Sequence, residues 1–122
     1  MKRFAFPRQA RILYEREFRR AYRDGARLVV FPLRFCLMRR PAGPSRLGLA
    51  VSRKVGNAVT RNRWKRAVRE AFRLNVHRLR APHDVVVAVS WDATEADVAR
   101  VQEAFEKVIA RLNAGAEEAR GE

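Results

Sequence analysis

The run from Ser52 to Arg73 constrains this chain more than any other stretch, because it joins a basic loop to a helix whose cationic face holds almost no acid. Placed at 100° per residue, the helix puts Trp64, Ala67, Val68, Ala71, Asn75 and Leu79 on one side, with Phe72 at its margin. That side has to face a core. Asn62, Lys65, Arg66, Arg69 and Arg73 fall on roughly the opposite side, and Arg61 and Arg63 occupy the first turn beside the free backbone N–H groups. A helix start is already an anion site, and arginines there add forked donors matched to phosphate. The alternative is a merely solvated face. Solvated helices usually mix signs, whereas Lys65, Arg69 and Arg73 repeat like charge at i,i+4 and destabilise the free helix. Asn62 adds an amide able to donate and accept, suited to a base edge, a 2′-OH or a hydrated metal ion.

Charge is regional along the 122 residues: positions 1–83 hold 23 Lys/Arg against four acids, and positions 84–122 hold four against nine, within a net charge of +14. Such self-repulsion disfavours a compact state unless a polyanion neutralises it, which puts nucleic acid first among partners and a membrane surface second. No apolar run approaches the roughly 20 residues of a bilayer span, and the amino terminus lacks a secretory apolar region. The expectation is a cytoplasmic protein with no membrane association. One cysteine, Cys36, excludes an intramolecular disulfide, and His77 and His83 make no zinc-ligand cluster. The length fits one domain, 1–122, with a basic arm over 1–10 and a frayed tail over 114–122.

Periodicity predicts the elements between. Arg11 to Arg23 reads as a helix, with Leu13 or Tyr14, Phe18, Ala21 and Tyr22 at helical spacing and a stop at Gly25. Leu28 to Met38 alternates as one strand, in which Pro32 marks an edge or a bulge, and after the turn at Pro41–Pro44 the stretch from Arg46 to Ser52 reads as its antiparallel hairpin partner. Thr60 is the expected cap of the basic helix, which runs to about Leu79. Asp84 to Trp91 reads as a buried strand, and Thr94 caps a last helix with Val98, Val101, Phe105, Val108, Ile109 and Leu112 in one apolar stripe. The order αββαβα predicts an α+β fold, an α/β sandwich of helices on a small mixed sheet.

Other candidate groups are weaker. Phe18 and Tyr22 form an i,i+4 aromatic pair among arginines, either a stacking platform for unpaired bases or core. Trp64 and Trp91 read as core, and Cys36 as a small apolar strand residue. Neither a nucleophile with a base nor a carboxylate pair stands out, so no catalytic residue and no metal site are expected in the chain itself.

Gly48 to Glu70, with Ser52-Arg53-Lys54-Val55-Gly56-Asn57 leading into Arg61-Asn62-Arg63-Trp64-Lys65-Arg66, closely resembles the signature of the bacterial ribonuclease P protein family. The resemblance implies the protein subunit of a ribonucleoprotein endonuclease that removes the 5′ leader of precursor tRNA. The RNA subunit is then the catalyst, and Mg²⁺ is held mainly by that RNA and the substrate. It implies as partners the catalytic RNA and the leader, with no obligate protein partner, and a left-handed βαβ crossover contrary to the general right-handed rule. By match of position, Arg53, Lys54, Asn57, Arg61, Asn62, Arg63, Lys65, Arg66 and Arg69, with Arg73 on the same face, bind RNA, and Phe18 and Tyr22 form the floor of the leader cleft. A further cleft aromatic of the family aligns with Cys36, where Phe35 cannot substitute because a one-residue step faces the other side of the sheet. The rivals are a general RNA-binding or ribosomal protein, a DNA-binding regulator and a protein-only metal nuclease. The regulator needs a preceding helix where Leu47 to Val51 reads as strand, and the nuclease needs a carboxylate cluster.

Overall fold

A computed structural model describes Arg11 and residues 15–121, with side chains placed as far as Gly115; the basic arm, Leu13 and Tyr14 fall outside these residues. Seven main elements follow one another: α1 (Glu15–Asp24), β1 (Ala26–Val30), β2 (Leu33–Arg39), β3 (Arg46–Ala50), α2 (Ala58–Asn75), β4 (His83–Val89) and α3 (Val101–Gly121). Short 3₁₀ turns cover Arg53–Val55, Val76–Arg78 and Glu95–Arg100. The α+β class is as expected, but with one more strand than αββαβα.

The extra strand arises at Pro32. Leu28 to Met38 is two strands and not one, because Phe31 and Pro32, joined by a cis peptide, form a tight turn between the paired residues Val30 and Leu33. Proline has no N–H to give a ladder, so it sits between strands. The expected pairing of the next strand also differs. β3 runs against β2 in direction but does not touch it; β4 lies between them, in the order β1-β2-β4-β3. β4 is antiparallel to β2, with Phe35 opposite Val87, and parallel to β3, with Leu47 opposite Val85. A valine run buried on both faces gains most from the centre of a sheet, where both neighbours shield it. Parallel neighbours need a crossover, and α2 supplies it between β3 and β4.

The sheet has two unlike faces. On one, Leu33, Phe35, Leu37, Leu47, Val85 and Val87 pack against Trp64, Val68 and Phe72 of α2 and Val101, Phe105 and Val108 of α3. Phe35 meets Phe105 edge to face at 5.3 Å and 80°, a contact worth about 1 kcal/mol beyond its area. On the other face, Cys36 and Val86 pack against Ala21 and the half-buried Phe18 of α1. Here α1 comes so close that a Cβ at Gly25 would stand 2.5 Å from the Ala21 carbonyl oxygen and 2.8 Å from that of Leu37. Only glycine fits where the helix turns into β1.

Several boundaries move. α1 begins at Glu15, since Arg11 is extended and bridges Leu47 in parallel. The cap of α2 is Asn57, whose Oδ1 accepts from the Thr60 N–H at 3.0 Å, and the helix gives way to a 3₁₀ turn after Asn75. Thr94 makes its capping box with Asp97, but the box opens a 3₁₀ turn before α3, and α3 continues past Ala114 to Gly121. Trp64 is completely buried as expected, whereas Trp91 is 67% exposed, because β4 stops at Val89 and leaves it in the turn beyond the sheet.

Candidate nucleic-acid interface

The loop after β3 is built to present α2. Ser52 Oγ accepts from the Lys54 N–H at 3.1 Å and starts the 3₁₀ turn. Gly56 then takes φ +155°, a conformation essentially confined to glycine, and a Cβ there would lie 2.9 Å from Thr60 Cγ2. Arg61 Nε donates to the Gly56 carbonyl at 3.2 Å, so this half-buried arginine ties the loop to the first helical turn. Asn57 is engaged as the cap. Arg61 and Asn57, both expected at the RNA surface, are thus part of the scaffold that presents α2.

Along the outer side of α2, Asn62, Arg66 and Arg69 are exposed and Lys65 is half-buried, and none has a side-chain hydrogen bond or ion pair among the described residues. Arg53 and Lys54 are likewise exposed. Arg73, at the far end of the row, is ion-paired to Glu70. From Arg61 to Arg73 the row spans about 18 Å at the helical rise. One partner was invisible to sequence reasoning. Glu95 accepts from Arg63 Nη1 at 2.9 Å and from Thr60 Oγ1 at 3.3 Å. It reaches α2 from the turn before α3, and no local spacing announces a contact across that separation.

Phe18 and Tyr22 lie on the opposite face of the sheet from α2. The structure therefore brings together Arg53, Lys54, Asn57, Arg61, Asn62, Arg63, Lys65, Arg66, Arg69 and Arg73 as one surface, and keeps the aromatic pair apart from it. Tyr22 lines a cavity of about 370 Å³ with Arg27, Arg34, Cys36, Val86 and Ala88. Phe18 is half-buried against Ala21, Cys36 and Val86, whereas the Tyr22 ring is partly exposed to the cavity. Burial raises the pKa of Tyr22, with the nearby Cys36 adding to it, and burial likewise pushes the Cys36 thiol up. Both stay neutral near pH 7. Cys36 and Phe35 point to opposite faces, as the alternation predicted. Arg27 and Arg34 were missed as cleft residues, although Arg34 shares the parity of Cys36; Arg27 Nη2 also donates to the Tyr22 carbonyl at 2.7 Å.

Among the described residues no three His, Cys, Asp or Glu side chains converge as a metal-binding group. No described helix is long and apolar enough to cross a membrane.

A four-stranded mixed sheet with a cationic crossover helix on one face and a basic, partly aromatic cleft on the other defines the class: a small α+β domain that presents two separate basic surfaces. The chain belongs to the ribonuclease P protein family, whose model, described as Ribonuclease P, it matches over residues 6–113. It is 41% identical to the ribonuclease P protein component of Desulfovibrio desulfuricans over 92% of this chain and 89% of that one. It is 38% identical to that of Geotalea uraniireducens over 93% and 99%. Among solved structures, the Staphylococcus aureus RNase P protein superposes with a TM-score of 0.74 at 29% identity, covering 83% of this chain and 93% of that one. The Thermotoga maritima RNase P protein gives 0.73 at 30%, covering 83% and 96%.

Proposed function

We propose that this chain is the protein subunit of a cytoplasmic ribonuclease P, and that it assists an RNA catalyst in removing the 5′ leader from precursor tRNA. The observation that carries this reading is the row of Lys65, Arg66 and Arg69 with Asn62, free of partners among the described residues, on a helix whose start is pinned by Asn57 and Arg61. In this reading the loop Arg53–Lys54 and the outer side of α2 bind the catalytic RNA, and the cleft at Phe18 and Tyr22 holds the single-stranded leader. A stacked base there is worth about 1 to 3 kcal/mol, and Arg27 and Arg34 supply cations for the intervening phosphates. Recognition of this kind is indifferent to leader sequence. Mg²⁺ stays with the RNA and substrate, and the chain's own contribution is to neutralise phosphate charge and to hold the leader extended.

The test is cleavage of a 5′-labelled precursor tRNA at low Mg²⁺ by the protein alone, by bacterial ribonuclease P RNA alone and by both. Correct 5′ processing is expected only, or far faster, in the combined reaction. Activity of the protein alone, or RNA binding without enhancement, would overturn the reading.

Glu95 bears on the same surface. Its carboxylate sits where a phosphate oxygen would satisfy Arg63, so Glu95→Gln is expected to tighten RNA binding about two- to fivefold at low salt, the value of an exposed ion pair. An unchanged or weaker affinity in an anisotropy titration would mean that Arg63 does not meet RNA.

A further inference from the structure

A second cavity, of about 190 Å³, opens at the other end of β2 from Arg34, and four arginines (Arg20, Arg39, Arg40 and Arg46) line it against two carboxylates, Glu17 and Asp84. The carboxylates are already taken. Arg46 donates through Nε and Nη2 to the two oxygens of Asp84, each at 2.7 Å, and its Nη1 lies 2.7 Å from Glu17. These three groups form a closed, largely buried floor.

Above the floor the balance is positive. Arg20 and Arg39 are exposed and make no side-chain hydrogen bond or ion pair among the described residues. Arg40 has only a long contact to Asp84, 3.7 Å, in addition to its hydrogen bond to the Pro44 carbonyl. That bond and the contact to Asp84 hold Arg40 in place over the cavity. Three guanidinium groups, one of them fixed, thus surround a space with no anion of the protein left to fill it. The lining contains no aromatic ring, unlike the cleft beside Tyr22. Unpaired bases have nothing to stack on, so the ligand it suits is one that offers phosphates and hides its bases, which is paired RNA.

We propose that Arg20, Arg39 and Arg40 form a second phosphate-binding site that takes the backbone of a helical segment of the ribonuclease P RNA. The inference rests on the function proposed above and adds a contact remote from α2. It gives the RNA a hold on both faces of the sheet, beside the leader and independent of it.

The experiment compares wild type, R20A/R39A and R20K/R39K, each checked for an unchanged melting temperature. Salt-dependent binding is measured to full-length ribonuclease P RNA and to a short single-stranded leader oligonucleotide. For R20A/R39A the slope of log K against log salt is expected to fall in magnitude by about 1 to 2 with the structured RNA and to stay the same with the oligonucleotide. R20K/R39K keeps the charge but not the fork, and is expected to restore most of the slope. An unchanged slope with the structured RNA would overturn the site, as would an equal loss with both ligands, which would assign the pocket to the leader or to general polyanion attraction. If wild type bound neither RNA, the proposed function itself would have failed, a result distinct from either.

Discussion

A variant combining Lys65→Ala, Arg66→Ala and Arg69→Ala is expected to bind ribonuclease P RNA about 100-fold more weakly than wild type at physiological salt. Each phosphate contact carries a slope of about 0.7 to 0.9 in log K against log salt, which amounts to about fivefold between 0.15 M and 1 M salt, and three such contacts multiply. The slope itself should fall by about 2 to 3. Folding should not suffer, because none of the three side chains has a partner among the described residues to lose, and removing like charges at i,i+4 relieves repulsion along α2. Fluorescence anisotropy over a salt series, with a thermal melt as control, tests both halves. Wild-type slope in this variant would remove α2 from the RNA interface.

The largest loss of stability short of emptying the core is expected from Asp84→Ala. Asp84 and Arg46 are each largely buried, and Arg46 spans from β3 to Glu17 of α1 while Asp84 belongs to β4, so the trio fastens the helix to the sheet. The hydrogen bonds to Asp84 hold the Arg46 pKa well above its ordinary value. Without them that extra hold is lost, but a guanidinium is protonated at any ordinary pH, so Asp84→Ala leaves a charged Arg46 without its main partner. Deleting one member of such a buried pair costs about 3 kcal/mol. In a domain of this size that is a fall of about 10 °C in Tm. Asp84→Asn, which keeps one acceptor and the shape, should lose less. A fall under about 2 °C for the alanine variant would show that Arg46 finds enough compensation in Glu17. In the proposed function leader binding should weaken alongside stability, since α1 carries Phe18 and Tyr22.

Much of the candidate interface is written locally. The burial of Trp64, Val68, Ala71 and Asn75 and the exposure of Arg66 and Arg69 follow from a period of 3.6 and need no tertiary knowledge. What periodicity does not carry is partnership. The alternation of Arg46 to Val51 marks a strand, yet nothing in it says whether the neighbour is β2 or a strand more than thirty residues further on. The same limit hid the Arg46–Asp84 pair and the reach of Glu95 to Arg63, both of which span distant stretches of chain. Pro32 carried the right signal in a different sense, ending a strand where an edge or bulge was expected. Trp91 misled because its apolar bulk outweighed the turn residues that follow it, and size alone does not bury a side chain beyond the last ladder bond. The cap of α2 moved three residues because Asn57 and Thr60 are both competent caps and Gly56, by its backbone, decides for the first.

The position of β4 sets when the protein can exist at all. The strand that joins the two halves of the sheet is the last of the four to leave the ribosome, and until it does, β3 has no neighbouring strand of the sheet and the hairpin of β1 and β2 is bare along β2 as well as along β1. A nascent chain ending anywhere before His83 therefore displays its cationic stretch without a sheet to organise it, and most of the compensating acids have yet to be synthesised. Long-range pairing of this kind is slow and sensitive to surroundings. Under the proposed function, a truncated product would then have the charge to stick to nucleic acid but not the shape to do so in one place.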